Sequence, residues 1–432
     1  MIYVNYIVGG YPYPKVMKLV SIIHRTGLAL GSALIFVSFG AAPAQAGNSP
    51  ASTPKVDAVT PYADIRYRLE LVDQDGLPEN ATASTLRIRA GLKTGEWKGL
   101  SALVEGEAIV AVGAERFNDT INGRTQFPVV ADPEAILLNQ AYVRWKPDSR
   151  IEMVGGRQAV GLDNQRWVGT VGWRQNDQTL DTVRVTVKPT KPVFVDYLYA
   201  WRVNRVFGPD SAQGIWRDTD IHAARVGATI KQLGTLTAYG YWLDIPSAPV
   251  MSSKTLGLRL AGEQRFGRKL KLLYAAEYAS QRENGNNPFN FSHNYWLIEP
   301  GIASGAVTVK GGYERLEGNG ASALQTPLAT LHAFNGWADK FLTTPPNGLR
   351  DVYLDVGYKL PAMGPIKGAT LRIAYHDFNA TRLGINYGDE WNAVVTVPVR
   401  KNISLLAKFA SYRAKAFATD TTKAWFSIEA KF

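Results

Sequence analysis

Cysteine is absent from all 432 residues. That excludes a disulfide framework and any thiolate-held metal, and it suits an exported protein. Histidine is scarce: His24, His222, His293, His332 and His376 stand far apart, with no ligand-type clustering. His376 is followed by Asp377, with no nucleophile motif beside it. Gly-x-Ser-x-Gly, His-Glu-x-x-His and phosphate-cradling Gly-Lys-Ser/Thr patterns are missing as well. These gaps argue against an enzyme, and no metal or organic cofactor is expected. Beyond residue 46 no stretch approaches the run of about 18 apolar residues that a membrane helix needs.

What is present is positive charge, a net +11. Such a balance points to anionic partners: nucleic acid, lipid headgroups or an acidic solute. The amino end narrows the choice. Lys18, His24 and Arg25 make a basic start, Thr26 to Phe39 is a short apolar run, and Ala44-Gln45-Ala46 is a small-x-small cleavage site before Gly47. Residues 1–46 therefore read as leader and signal peptide, with Met17 a plausible true start. Removing them takes Lys15, Lys18 and Arg25 away and lowers the net charge from +11 to +8. Export without a membrane helix means a secreted, periplasmic or outer-membrane product, and it argues against a nucleic-acid partner. Residues 47–60, rich in Pro, Ser and Thr, read as a flexible lead-in to a domain spanning 61–432.

That domain alternates. In Tyr62–Leu71, Asp64, Arg66, Arg68 and Glu70 share one face, and Ile65, Tyr67, Leu69 and Leu71 share the other. Strands follow at 85–94 and 100–110, and fifteen more run from 136–146 to 422–432. The count is about eighteen, with period two throughout. In the last, Phe432, Ala430, Ile428, Phe426 and Ala424 face one way, and Lys431, Glu429, Ser427 and Trp425 the other. Eleven residues suffice to cross a bilayer as a tilted strand. An ending on aromatic Phe432 resembles the closing strand that barrel-assembly machinery handles. Tight turns such as 146–149 and 400–401 alternate with long polar stretches at 111–135, 160–180 and 317–349. Aromatics including Trp97, Trp145, Trp201, Tyr241, Trp296 and Trp391 fall near strand ends. Both features predict an all-β, antiparallel transmembrane barrel in a Gram-negative outer membrane, with short periplasmic turns and long outer loops. A soluble sandwich also alternates, but it seldom needs so many strands in one unbroken chain.

An arginine facing lipid at mid-bilayer costs about 2–4 kcal/mol. The basic residues of the polar stripes are therefore expected to face the lumen: Arg66, Arg87, Arg89, Arg144, Arg184, Arg202, Arg225, Arg259 and Arg372. Such an array favours anions, unless acids on the same faces pair with it and simply brace the wall. The 317–349 stretch is expected to fold over or into the pore through 326–345, with Phe334, Trp337, Asp339 and Lys340 at the constriction.

Three stretches resemble the alginate export family of outer-membrane porins. They are Gly156-Arg157-Gln158 continuing through Arg166, Gly172-Trp173-Arg174-Gln175-Asn176-Asp177-Gln178, and Thr326 to Phe341 continuing through Asp351. The resemblance implies an eighteen-stranded barrel whose electropositive pore passes an anionic polyuronate, with Arg157, Arg174 and Arg350 as pore or constriction residues. It also implies a possible periplasmic export partner. Arg157 is out of step with Gln158, which requires a bulge or a rim position. The expectation is a passive, monomeric channel for anionic solutes or polysaccharide. Two alternatives stay open: a small-solute porin of unrelated substrate, and a plugged barrel acting as adhesin or hydrolase.

Overall fold

A computed structural model describes residues 59–432, except 363 and 365. The leader, its cleavage site and the lead-in up to residue 58 lie outside the described residues. Among the described residues, eighteen strands form one antiparallel sheet. They are β1 (Thr60–Gln74), β2 (Ala81–Lys93), β3 (Leu100–Ala111), β4 (Ala135–Trp145), β5 (Ile151–Gln158), β6 (Thr179–Thr190), β7 (Val193–Asn204), β8 (Ile215–Ile230) and β9 (Gly234–Asp244). The second half comprises β10 (Ser253–Phe266), β11 (Leu270–Glu283), β12 (Ser292–Ser304), β13 (Val307–Leu316), β14 (Leu349–Lys359), β15 (Thr370–Asn379), β16 (Asn386–Arg400), β17 (Ile403–Ala414) and β18 (Thr421–Lys431). Each pairs with its sequence neighbour, and β18 closes on β1 from Asp64↔Lys431 to Gln74↔Thr421. Closure leaves no edge unpaired, which is what hydrocarbon demands of a spanning sheet.

Alternation sorts the two faces. On β18, Lys423 and Trp425 are buried inside, while Phe426 and Ile428 are exposed outside. On β10 the outward stripe carries exposed Leu256 and Leu258. Each large apolar side chain that such a stripe places in lipid contributes about 1.5–3 kcal/mol relative to water. Trp97, Trp145, Trp201, Trp242, Trp296 and Trp391 are exposed on this surface. Tyr241 departs from the expected girdle: it is buried, inside, with its ring 6.2 Å from that of Trp167.

Connections after even-numbered strands are mostly tight, as at 191–192, 305–306 and 401–402. The long ones follow odd-numbered strands: 112–134, 159–178 and 317–348. Within 326–342 the only regular element is one 3-10 turn, Leu331–Ala333. Register slips mark bulges at Glu105/Gly106, Asp181/Thr182 and Ala200/Arg202. Each bulge inserts an extra residue and re-aims the side chains beyond it. Gly156 serves the same region. Its φ is +125°, and a Cβ there would lie 2.3 Å from the Ala141 carbonyl oxygen, so only glycine lets β5 approach β4 so closely.

Candidate functional site

The loops after β5 and β13 turn into the barrel and meet. Val168 and Leu328 form a short parallel bridge. The Gly169 N–H and the Gln178 side-chain amide both donate to the Leu328 carbonyl, each at 2.8 Å. The 159–178 loop is held to the wall on two sides. The Trp167 indole N–H donates to Glu277 at 2.7 Å, and Arg166 pairs with Glu314 at 2.8 Å. Opposite, Gln175 donates to the Thr85 hydroxyl at 2.9 Å, and Arg66 donates to the Gln175 side chain and the Gly172 carbonyl, both at 2.9 Å. Arg68 reaches the Trp173 carbonyl and Asp132.

The 317–348 loop is anchored on Glu390 of β16. That carboxylate accepts the backbone N–H groups of Trp337 at 2.5 Å and Ala338 at 2.9 Å. The preceding Gly336 has φ +85°, and a Cβ there would lie 2.4 Å from a Glu390 oxygen. Glycine is thus required for the chain to lie on the carboxylate. Phe341 packs against Phe378 at 4.4 Å between ring centres. Phe334 lies 4.8 Å beneath the Arg166 guanidinium.

Where the loops converge on β17 and β18, a polar chain runs through an aromatic cage. The Lys408 ammonium sits 3.8 Å from the Trp337 ring centre and 4.0 Å from that of Trp173. It donates to His332 Nε2 at 2.6 Å. Lysine has no acceptor, so His332 Nε2 accepts, and Nδ1 carries the proton that it donates to Asp339 at 2.6 Å. Burial pushes His332 down to about 3. Burial alone would raise Asp339, but His332, Lys423 and Arg174 hold it well below the usual carboxylate range. Its second oxygen accepts from Arg174 at 2.9 Å and Lys423 at 3.0 Å. Trp173 stacks flat on His332 at 4.5 Å. One cluster therefore ties both loops to each other and to the wall.

Above this cluster, on the long-loop side, lies a cavity of about 400 Å³. Its floor holds Arg174, His332, Asp339, Lys340 and Lys423, and its sides include Leu77, Phe127, Val129, Phe207, Leu331 and Leu342. Lys340 differs from its neighbours. Its ammonium donates to Gln74 Oε1 at 3.0 Å, and among the described residues no carboxylate lies within salt-bridge reach. Burial, with Lys423 adding to it, pushes Lys340 down to about 8.

The lumenal arginines are mostly paired. Arg87 meets Asp64 at 2.6 Å, Arg144 meets Glu152 at 3.0 Å, and Arg184 and Arg225 share Asp196, each at 2.8 Å. Arg89 meets Glu107 and Asp177, Arg174 meets Glu70 at 3.2 Å as well as Asp339, and Arg259 and Arg372 meet Glu277 and Asp355. Arg66 is capped by the oxygens of the inserted loop. The bracing role of the array thus outweighs its role as a ladder of free cations. Arg157, Arg202 and Arg350 depart from expectation: all three point outward. Arg157 and Asp181 pair across strands on the face opposite buried Gln158, Leu180 and Thr182. The slip at Ala200/Arg202 turns Arg202 onto that same face. Arg350 lies between buried, inward Leu349 and Asp351. Sequence reasoning missed Lys408, Lys423 and the role of His332. Lys423 was legible as a lumen-facing cation of β18, but the partners of Lys408 lie on loops more than 70 residues away.

No family model matches the chain, and no curated protein matches it. Solved structures do. Acinetobacter baumannii OccAB4 is 14% identical, covering 88% of this chain and 100% of its own, at TM-score 0.69. Pseudomonas aeruginosa OpdL is 16% identical, covering 87% and 98%, at TM-score 0.65. Pseudomonas aeruginosa OpdK, determined with vanillate, is 14% identical, covering 86% and 98%, at TM-score 0.66. The resemblance to the alginate export family is therefore not upheld: the structural likeness is to Occ and Opd outer-membrane proteins. At these identities the likeness establishes the fold, a closed eighteen-stranded porin-type barrel.

Proposed function

We propose that the protein is a passive channel of the Gram-negative outer membrane, whose outer vestibule takes small solutes joining one carboxylate to an apolar body. The porin-type fold supports the channel and its membrane. Lys340 carries the solute class. It is a desolvated ammonium on the floor of an apolar-walled cavity, bonded to a neutral amide where a carboxylate would fit. The similar OpdK was determined with vanillate, an aromatic carboxylate, which agrees with this reading. Pairing of the lumenal arginines favours one discrete station over a continuous track for a polyanion. A single weak station also suits conduction, which requires binding loose enough to release.

The test is single-channel recording of the refolded protein in planar bilayers, with benzoate as probe. We expect discrete openings that benzoate interrupts at a rate rising with its concentration, and interruptions that shorten in Lys340→Gln. Openings indifferent to benzoate in the wild type would remove the carboxylate station and leave a general small-solute porin. No conductance at all would remove the channel.

A further inference from the structure

Three pairs of like charges face each other across neighbouring strands on the outside of the barrel. Arg202 of β7 stands opposite Arg217 of β8. Lys254 of β10 stands opposite Arg282 of β11. Arg315 of β13 stands opposite Arg350 of β14. All lie at the strand ends that adjoin the long loops. Alternation fixes their outward aim: Lys254 continues the exposed stripe of Leu256 and Leu258, and Arg350 that of Val352 and Leu354. Directly opposed like charges destabilise a sheet, and here the arrangement recurs.

Each pair adjoins an outward tryptophan. Trp242 is the cross-strand partner of Lys254, Trp296 that of Arg315, and Trp201 precedes Arg202. Interfacial tryptophans mark headgroup level, so the cations sit at or just beyond the acyl boundary. Local acids neutralise them only in part: Glu283 lies near Lys254 and Arg282, but its carboxylate also accepts the Phe291 N–H at 3.0 Å. Asp181 binds Arg157 in a two-pronged bridge and reaches Arg202 only at 3.8 Å. Glu317 contacts Arg315 at 3.3 Å. Asp377, one rung below Arg350, accepts from Asn379 at 2.8 Å. The Nε atoms of both Arg315 and Arg350 are buried without a hydrogen-bond partner.

We propose that these outward pairs bind phosphate groups of the glycolipid in the outer leaflet. An anion between two facing cations converts repulsion into two charge-assisted contacts, and guanidinium suits phosphate geometry. The outer leaflet supplies such anions at headgroup level, the depth that the neighbouring tryptophans mark. The inference rests on the outer-membrane placement, not on what the vestibule binds.

The experiment titrates refolded protein in a zwitterionic detergent with a bisphosphorylated lipid-A-type glycolipid, with its dephosphorylated counterpart, and with inorganic phosphate. Bound lipid is counted by native mass spectrometry. We expect the phosphorylated glycolipid to bind at least about tenfold more tightly than the dephosphorylated one. We expect the variant with Gln at all six positions (Arg202→Gln, Arg217→Gln, Lys254→Gln, Arg282→Gln, Arg315→Gln and Arg350→Gln) to abolish that difference while its conductance stays that of the wild type. Equal binding of the two lipids by the wild type overturns the proposal without any variant. So does a variant that keeps the preference, or displacement of the lipid by millimolar inorganic phosphate, which would assign the site to the free ion. Loss of conductance in every form would sink the channel reading and leave the lipid comparison standing.

Discussion

At the scale of the residue, Lys340 gathers the functional consequences. Its ammonium has a neutral partner and is already partly desolvated, so a solute carboxylate gains a charge-assisted bond with little further dehydration. Lys340→Gln should weaken benzoate binding by about tenfold or more, because a hydrogen bond to a charged group contributes about 1.5–3 kcal/mol. Lys340→Arg should retain most of the affinity. Ligand-induced block in bilayers measures both. The sign of the pH effect follows from the lowered pKa. Below about 8 the side chain is a cation, and above it is a neutral amine. Benzoate block should therefore fade as pH rises through that value, with the midpoint displaced upward at saturating benzoate. At benzoate far below saturation, a midpoint above pH 10 would mean that Lys340 is solvated and not part of the vestibule floor.

Single residues were also where the sequence was hardest to read. Arg202 looks like a member of the same basic stripe as Arg66 and Arg87, whereas Arg157, out of step with Gln158, and Arg350 are placed at the pore by family resemblance alone. A one-residue slip inverts a strand's faces, and the slip at Ala200/Arg202 is such a case. Arg350 stands at the second position of its strand, where the phase of alternation is least determined. Charge and type were visible for every arginine, but the face depends on a bulge or a loop exit that no periodicity records.

At the scale of the element, the inserted loops are held by few but buried contacts, and that makes them separable from the barrel. Glu390→Ala leaves the Ala338 N–H without its acceptor and the Trp337 N–H with only the longer bond to Asn392 at 3.3 Å. A buried orphan costs about 1–3 kcal/mol, enough to free 317–348 locally while the closed ladder of strands stays intact. We expect larger and noisier single-channel currents from this variant, with unchanged heat-modifiable mobility on a denaturing gel. Gly336→Ala should act in the same direction, since its Cβ would collide with Glu390. The inward fold of this loop was legible from its length and from Phe334, Trp337 and Phe341. Its anchors were not, because Glu390 and Lys408 belong to strands whose lumenal faces are polar for many reasons. The strands themselves read well. Phe426 and Ile428 against Lys423 and Ser427 state the two environments in four residues, because lipid and lumen impose opposite demands at a spacing of one.

At the scale of the whole molecule, net charge misleads. A formal +11 suggests a strongly anion-selective pore, yet the lumenal arginines spend their charge on wall and loop carboxylates such as Asp196, Glu277 and Asp355. Simple salt should therefore be sorted only weakly. Reversal potentials across a potassium chloride gradient should give a permeability ratio within about tenfold of unity, since paired charges project little field beyond a Debye length of about 8–10 Å. A ratio far above that would require free cations along the pore axis.

The pairing of β1 with β18 has a consequence for how the molecule is made. The two strands that complete the wall stand first and last in the order of the barrel, so the ring stays open until β18 meets β1. Every intermediate before that moment presents two bare edges, each able to recruit a stranger's strand. The segment most distant along the polypeptide is thus also a checkpoint. A chain truncated before Thr421 would retain its apolar stripes and most of its hairpins, yet it would be a sticky ribbon where the full product is a tube.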